Sequence, residues 1–164
     1  MLDQTTLSPA ERADALLGFG TLSFGRGDYE RAAPALATAI DLYSELGNVR
    51  RVATASVPLG VMRAVQEPDS GEDLLTDAAK TFRDLDDQWG LAFALLNLGG
   101  AVLLRDRYAE AVPHLEESVE LARAVKAEVF LSNALINLGL ARPGLGDLES
   151  AWDCYGSRSS MLRP

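Results

Sequence analysis

The sequence predicts an all-α chain of stacked helix pairs, and three observations carry that prediction. Apolar residues recur at helical spacing: Leu95, Leu98, Gly99 and Val102 fall at i, i+3, i+4 and i+7, one face of a helix. A phrase then returns at a fixed period. "FALLNLGGA" (93–101) and "NALINLGLA" (133–141), with looser echoes at "SVPLGVM" (56–62) and "LLGFGTL" (16–22), space Gly20, Gly60, Gly99 and Gly139 by 40, 39 and 40 residues. A period in this range marks a stacked repeat architecture. Finally, no segment alternates apolar and polar residues as a half-buried strand would.

Each element follows from local signals. "SPAE" (8–11) reads as a Ser N-cap, Pro at the first helical position and Glu three residues after the cap, opening a helix over 9–24. The turn "GRGDYERA" (25–32) supplies Asp28, whose carboxylate can accept the free amide protons of a second helix over 29–46. The same periodicity predicts helices over 48–66, 69–86, 88–104, 107–125, 127–142 and 147–162. Paired in order, they give four repeats at about 9–47, 48–87, 88–126 and 127–164 within a single domain spanning 1–164.

The composition narrows the class. The chain has 164 residues, 48% of them hydrophobic, enough for one core and too few to require two domains. A net charge of −9 argues against direct nucleic-acid binding, which needs clustered cations. No stretch approaches the roughly 18 apolar residues of a membrane span, and the first residues lack a basic-then-apolar leader. Cys154 is alone, so no internal disulfide and no thiolate metal cage is expected. A soluble, cytoplasmic protein is the plain reading. The arginines far outnumber Lys80 and Lys126, as in high-GC bacterial genomes.

The recurrent glycines read as a packing device. A mid-helix Gly costs about 1 kcal/mol against Ala, and the simplest offset is close approach of a partner helix. Ala32, Ala111 and Ala151 follow Gly20, Gly99 and Gly139 at one constant spacing and are the small residues expected opposite them.

These residues carry a resemblance. Gly20 with Gly27-Asp28-Tyr29 and Ala32, Asn97-Leu98-Gly99 with Tyr108 and Ala111, and Asn137-Leu138-Gly139 with Gly146-Asp147-Leu148 and Ala151 together resemble the tetratricopeptide repeat over residues 11–162. The period is longer than that family's usual of roughly 34. The resemblance implies a right-handed superhelical solenoid of four antiparallel helix pairs, a protein-binding role and no cofactor. The long repeats resemble the sensor arrays of large bacterial ATPase and transcriptional regulators, which implies a signalling or transcriptional parent. The second unit departs from the pattern, with Pro68 at the Tyr position and Gly71 at the Ala position. On that ground "EPDSGED" (67–73) is expected to be the loosest part of the stack.

Isolated motifs carry little chemistry. "RGD" (26–28) reads as an inter-helix turn, and "GFGTLSFG" (18–25) follows no strand and lacks the spacing of a phosphate loop. His114 has Glu110, Glu117 and Ser118 at helical spacing but no converging nucleophile, so it reads as part of a solvated face. Asp69, Glu72 and Asp73 lack calcium-loop spacing and read as first-turn charges. No catalytic residue and no metal ligand is expected, and the chain is not expected to be an enzyme.

One feature exceeds what pairing requires. The first helix of the third unit carries a second apolar stripe, Phe93, Leu96, Gly100 and Leu103. Its counterparts are Asn133, Ile136 and Leu140 in the fourth unit, Thr54, Val57, Val61 and Ala64 in the second, and Asp14, Leu17, Thr21 and Phe24 in the first. By resemblance these first helices line a concave groove. There the stripe would hold an apolar peptide or a helix of a partner protein, with Asn97, Asn133 and Asn137 pairing to its backbone. The competing reading is that neighbouring helices bury the stripe within the stack. A structural role is the alternative function, with a homodimer formed through the last helix, where Trp152, Tyr155, Met161 and Leu162 ask for cover.

Overall fold

A computed structural model describes residues 7–144. Seven helices follow one another: α1 (Pro9–Gly25), α2 (Tyr29–Glu45), α3 (Val49–Gln66), α4 (Pro68–Asp84), α5 (Gln88–Leu103), α6 (Tyr108–Ala124) and α7 (Glu128–Gly144). Each packs against the next, as an antiparallel array does. The expected helix over 147–162, with Ala151, Cys154 and the proposed dimer contact, lies outside the described residues.

Local chemistry sets the boundaries. Ser8 caps α1 in a reciprocal arrangement: its hydroxyl accepts from the Glu11 amide while Glu11 accepts from the Ser8 amide at 2.8 Å. Asp28, Asn48 and Asp87 cap α2, α3 and α5 by accepting from the amides of Arg31, Arg51 and Gly90. The "RGD" stretch is accordingly the α1–α2 turn, with Gly27 at φ 76°. The αL residue of the later turns is Gly47, Asp86, Asp106 or Lys126. That is why α4 ends at Asp84 and not at the expected 86: Asp86 takes the left-handed conformation that glycine usually marks.

The helices form two layers. The odd-numbered helices approach one another backbone to backbone, α1 with α3, α3 with α5 and α5 with α7, whereas α2, α4 and α6 do not, α4 and α6 meeting through long side chains such as Arg83 and Glu117. The odd helices are therefore the crowded inner layer and the even helices the splayed outer one. The core lies between the layers, in one cluster around Leu75, Leu95 and Leu115 and another around Leu36 and Tyr43.

Glycines set the spacing between layers. A Cβ at Gly20 would lie 2.7 Å from Leu36 Cγ, and one at Gly99 would lie 2.6 Å from Leu115 Cγ. The carbonyls of Ala32 and Ala111 stand just beyond, at 3.4 and 3.5 Å. A leucine of the even helix thus lies over each glycine, and the small alanine beside it admits the backbone.

The α3–α4 pair corrects one expectation. Segment 67–73 is not the loosest part of the stack. A single residue, Glu67, joins the two helices. A Cβ at Gly71 would strike the backbone nitrogen of Ala64 and lie 2.7 Å from the Gly60 carbonyl oxygen. Where α2 and α6 carry alanine, α4 carries glycine because the two backbones touch. The departure from the repeat pattern marks a closer approach.

Candidate functional site

The inner layer holds two hollows. The larger, about 730 Å³, draws residues from all four odd helices: Thr21 and Phe24 of α1, Thr54 and Pro58 of α3, Trp89 and Phe93 of α5, and Val129 and Phe130 of α7. Its wall is an aromatic cluster. The Trp89 and Phe130 rings are 4.7 Å apart between centroids, and Phe93 stacks on Phe130 at 5.1 Å and 23°. Phe82 reaches in from the end of α4, with Gly90 lying against its ring where no side chain would fit. Four of the five phenylalanines of the chain line this one hollow, so the scarce aromatics are concentrated and not spread through the core. Trp89 remains 53% exposed.

Charged groups rim it. Arg50 donates to Asp87 at 2.7 Å, and the same carboxylate accepts from the Gly90 amide at 2.9 Å. Burial alone would raise the Asp87 pKa; the Gly90 amide and the Arg50 guanidinium outweigh it and hold the carboxyl below its ordinary value. Arg51 stands 3.5 Å from Asp14, which also accepts the Tyr43 hydroxyl at 2.6 Å. Burial and that carboxylate push Tyr43 up to about 12. The rim thus carries the Arg50–Asp87 pair with Arg51, Lys126 and Glu128, while the rest of the lining is mostly apolar.

The smaller hollow, about 260 Å³, lies further along the same face, toward the C-terminal halves of α3 and α5. Val61, Leu96, Asn97, Asn133, Ile136 and Asn137 line it. The Asn97 amide nitrogen donates to the Phe93 carbonyl at 2.7 Å within its own helix, and the residue lines the hollow.

The residues of the second apolar stripe are therefore divided. Thr21, Phe24 and Phe93 sit at the aromatic hollow, and the three asparagines sit with Val61, Leu96 and Ile136 at the other. Leu17 and Val57 lie in the core, Val57 fully buried, because neighbouring inner helices cover them. Leu103 packs half-buried against the core, and Leu140 is exposed without lining either hollow. Sequence reasoning missed Trp89, Phe130, Phe82, Arg50 and Asp87. The available signal was the clustering of aromatics at the heads of the third and fourth units, "QWGLAF" (88–93) and Phe130.

Two further hollows, of about 430 Å³ beside Tyr29, Ala37 and Met62 and of about 320 Å³ beside Lys80, His114 and Glu117, gather no aromatic cluster. His114 is half-buried and its pKa lowered, chiefly by burial, partly offset by Glu117. Among the described residues no group of three or more His, Cys, Asp or Glu is placed to hold a metal, and no helix is long and apolar enough to cross a membrane.

No family model matches the chain, and no curated protein does. Solved structures do. The crystal structure of BtubC (BKLC) from P. vanneervenii aligns with a TM-score of 0.82 at 21% identity, covering 99% of this chain and 70% of that one. The fold is a tetratricopeptide-like helical solenoid. The crystal structure of MamA aligns with a TM-score of 0.53 at 17% identity, over 91% of each chain. At such identities the likeness concerns the fold alone.

Proposed function

We propose that the chain is a protein-binding scaffold whose inner face holds an apolar peptide or helix of a partner, anchored in the aromatic hollow. One observation carries the reading. Trp89, Phe93 and Phe130 converge from two helices onto an open surface, where burial gives them only part of the stabilisation that core aromatics obtain. Large, rigid aromatics lining a concave site are the usual anchors of recognition. The asparagine hollow adds amide groups that fix the orientation of a bound backbone. By resemblance to long-repeat arrays, the parent protein is a bacterial signalling or transcriptional regulator, in which this segment is the sensor.

A displayed library of random peptides, selected on the wild-type chain, tests the proposal. Enriched sequences should carry aromatic or branched apolar anchors and should fail to bind a Trp89→Ala, Phe130→Ala double variant. Selected peptides that bind both proteins equally would remove the aromatic hollow from the site.

A further inference from the structure

Among the described residues, helix α1 presents a second surface that no helix covers, on the side away from the hollows. Aligned by their glycines, Ala15, Phe19 and Leu22 correspond to Ala55, Leu59 and Met62 of α3, to Ala94, Leu98 and Ala101 of α5, and to Ala134, Leu138 and Ala141 of α7. Every one of those nine counterparts is at most 9% exposed, covered by the helix before it. In α1 the same positions are open: Phe19 is 48% exposed, Leu22 57%, and Ala15 also faces solvent. From Ala15 to Gly25 the helix carries no charge. The face is thus built as a helix-packing surface.

Its own pattern identifies an occupant. At 100° per residue Glu11, Ala15, Gly18, Phe19, Leu22 and Arg26 share one face of α1. Two copies of this face laid antiparallel about a two-fold axis between Gly18 and Phe19 are complementary at each step. Phe19 of one copy meets Gly18 of the other, where nothing lies within 4 Å of the Cβ position. Leu22 meets Ala15, and Arg26, which makes no ion pair among the described residues, meets Glu11. Large residues oppose small ones, and opposite charges oppose each other. We propose that the exposed face of α1 is a self-association surface on which a second copy of this chain docks its own α1 antiparallel. An isologous contact of this kind is the commonest arrangement in homo-oligomers. One helix pair is smaller than the roughly 1,200–2,000 Å² interfaces of stable complexes, so the association is expected to be weak and concentration-dependent.

Sedimentation of the full chain from about 1 µM to a few hundred µM reads the association. The wild type should pass from monomer to dimer. Phe19→Asp, at an exposed position that leaves the monomer's circular dichroism unchanged, should weaken it about tenfold or more. Arg26→Glu should weaken it several-fold, and adding Glu11→Lys should restore it by reversing both partners. Glu11→Lys alone also removes the carboxylate that accepts from the Ser8 amide and hydroxyl, so the rescue and not the single variant is decisive. A wild type that stays monomeric would leave the face to a foreign helix and overturn the proposal. So would a dimer indifferent to Phe19→Asp, one abolished by Phe130→Ala instead, or a double reversal without rescue.

Discussion

Helix α5 carries no charged residue from Gln88 to Leu103, whereas its partner α6 intersperses Glu110, Glu116, Glu117, Glu120 and Arg123 among its apolar positions. The contrast separates the two layers. An outer helix buries one stripe and gives the rest to water, and its charges pair across neighbours: Arg83 of α4 with Glu117 of α6, Arg142 of α7 with Glu116. Helix α5, between α3 and α7 and backed by α4 and α6, is flanked by helices on three sides, so apolar residues are required nearly all round. Packing does not consume all of them. Phe93 and Phe130 pack against the core on one side only and Trp89 stays half exposed, and that open aromatic surface is where function is to be sought.

The contrast breaks most severely at the glycines that join the layers. Gly99→Leu forces a large side chain against Leu115 and should destabilise by about 3 kcal/mol or more. Gly71→Ala is smaller in volume yet meets backbone that cannot rotate away. The collision should outweigh the about 1 kcal/mol that alanine gains in helix propensity, for a net loss of about 2 kcal/mol and a Tm lower by about 4–8 °C. Thermal melts within a degree of wild type for either variant would refute the close approach.

Ser118 sharpens the comparison at intermediate size. Its fully buried hydroxyl, on α6, donates to the Ala92 carbonyl of α5 at 2.8 Å. The aligned residues of α2 and α4 are Ala39 and Ala78, so the other pairs manage without this bond. Ser118→Ala should cost about 1 kcal/mol, measurable as a urea midpoint shift with an unchanged slope.

The outer ion pairs come last. Arg83 and Glu117 are both well exposed, so Arg83→Ala should change stability by no more than about 0.5 kcal/mol in a denaturant titration, and less in high salt.

Much of this was legible in the chain because helix starts are local events. Ser8 with Glu11 and Asp28 state their roles within a few residues, and Gly20 and Gly99 state theirs through the repeat period. The turns at Asp86, Asp106 and Lys126 were less legible, since αL conformations there are held without glycine. Gly71 was misread because a small residue in place of alanine looks like a lost anchor until the opposing backbone of Ala64 is seen. The candidate face was half legible. Stripe periodicity finds Phe93 and Ile136, but it also selects Leu17 and Val57, which inner-layer contacts bury. It passes over Trp89 and Phe130, which meet only when α7 folds beside α5.

The difference between the layers is tested most directly by calorimetric titration of one selected peptide against wild type, Phe130→Ala and Arg83→Ala. Affinity should fall about tenfold or more for the inner variant and stay within about twofold for the outer one. A peptide that loses affinity on Arg83→Ala and keeps it on Phe130→Ala would place recognition on the outer face and contradict the account.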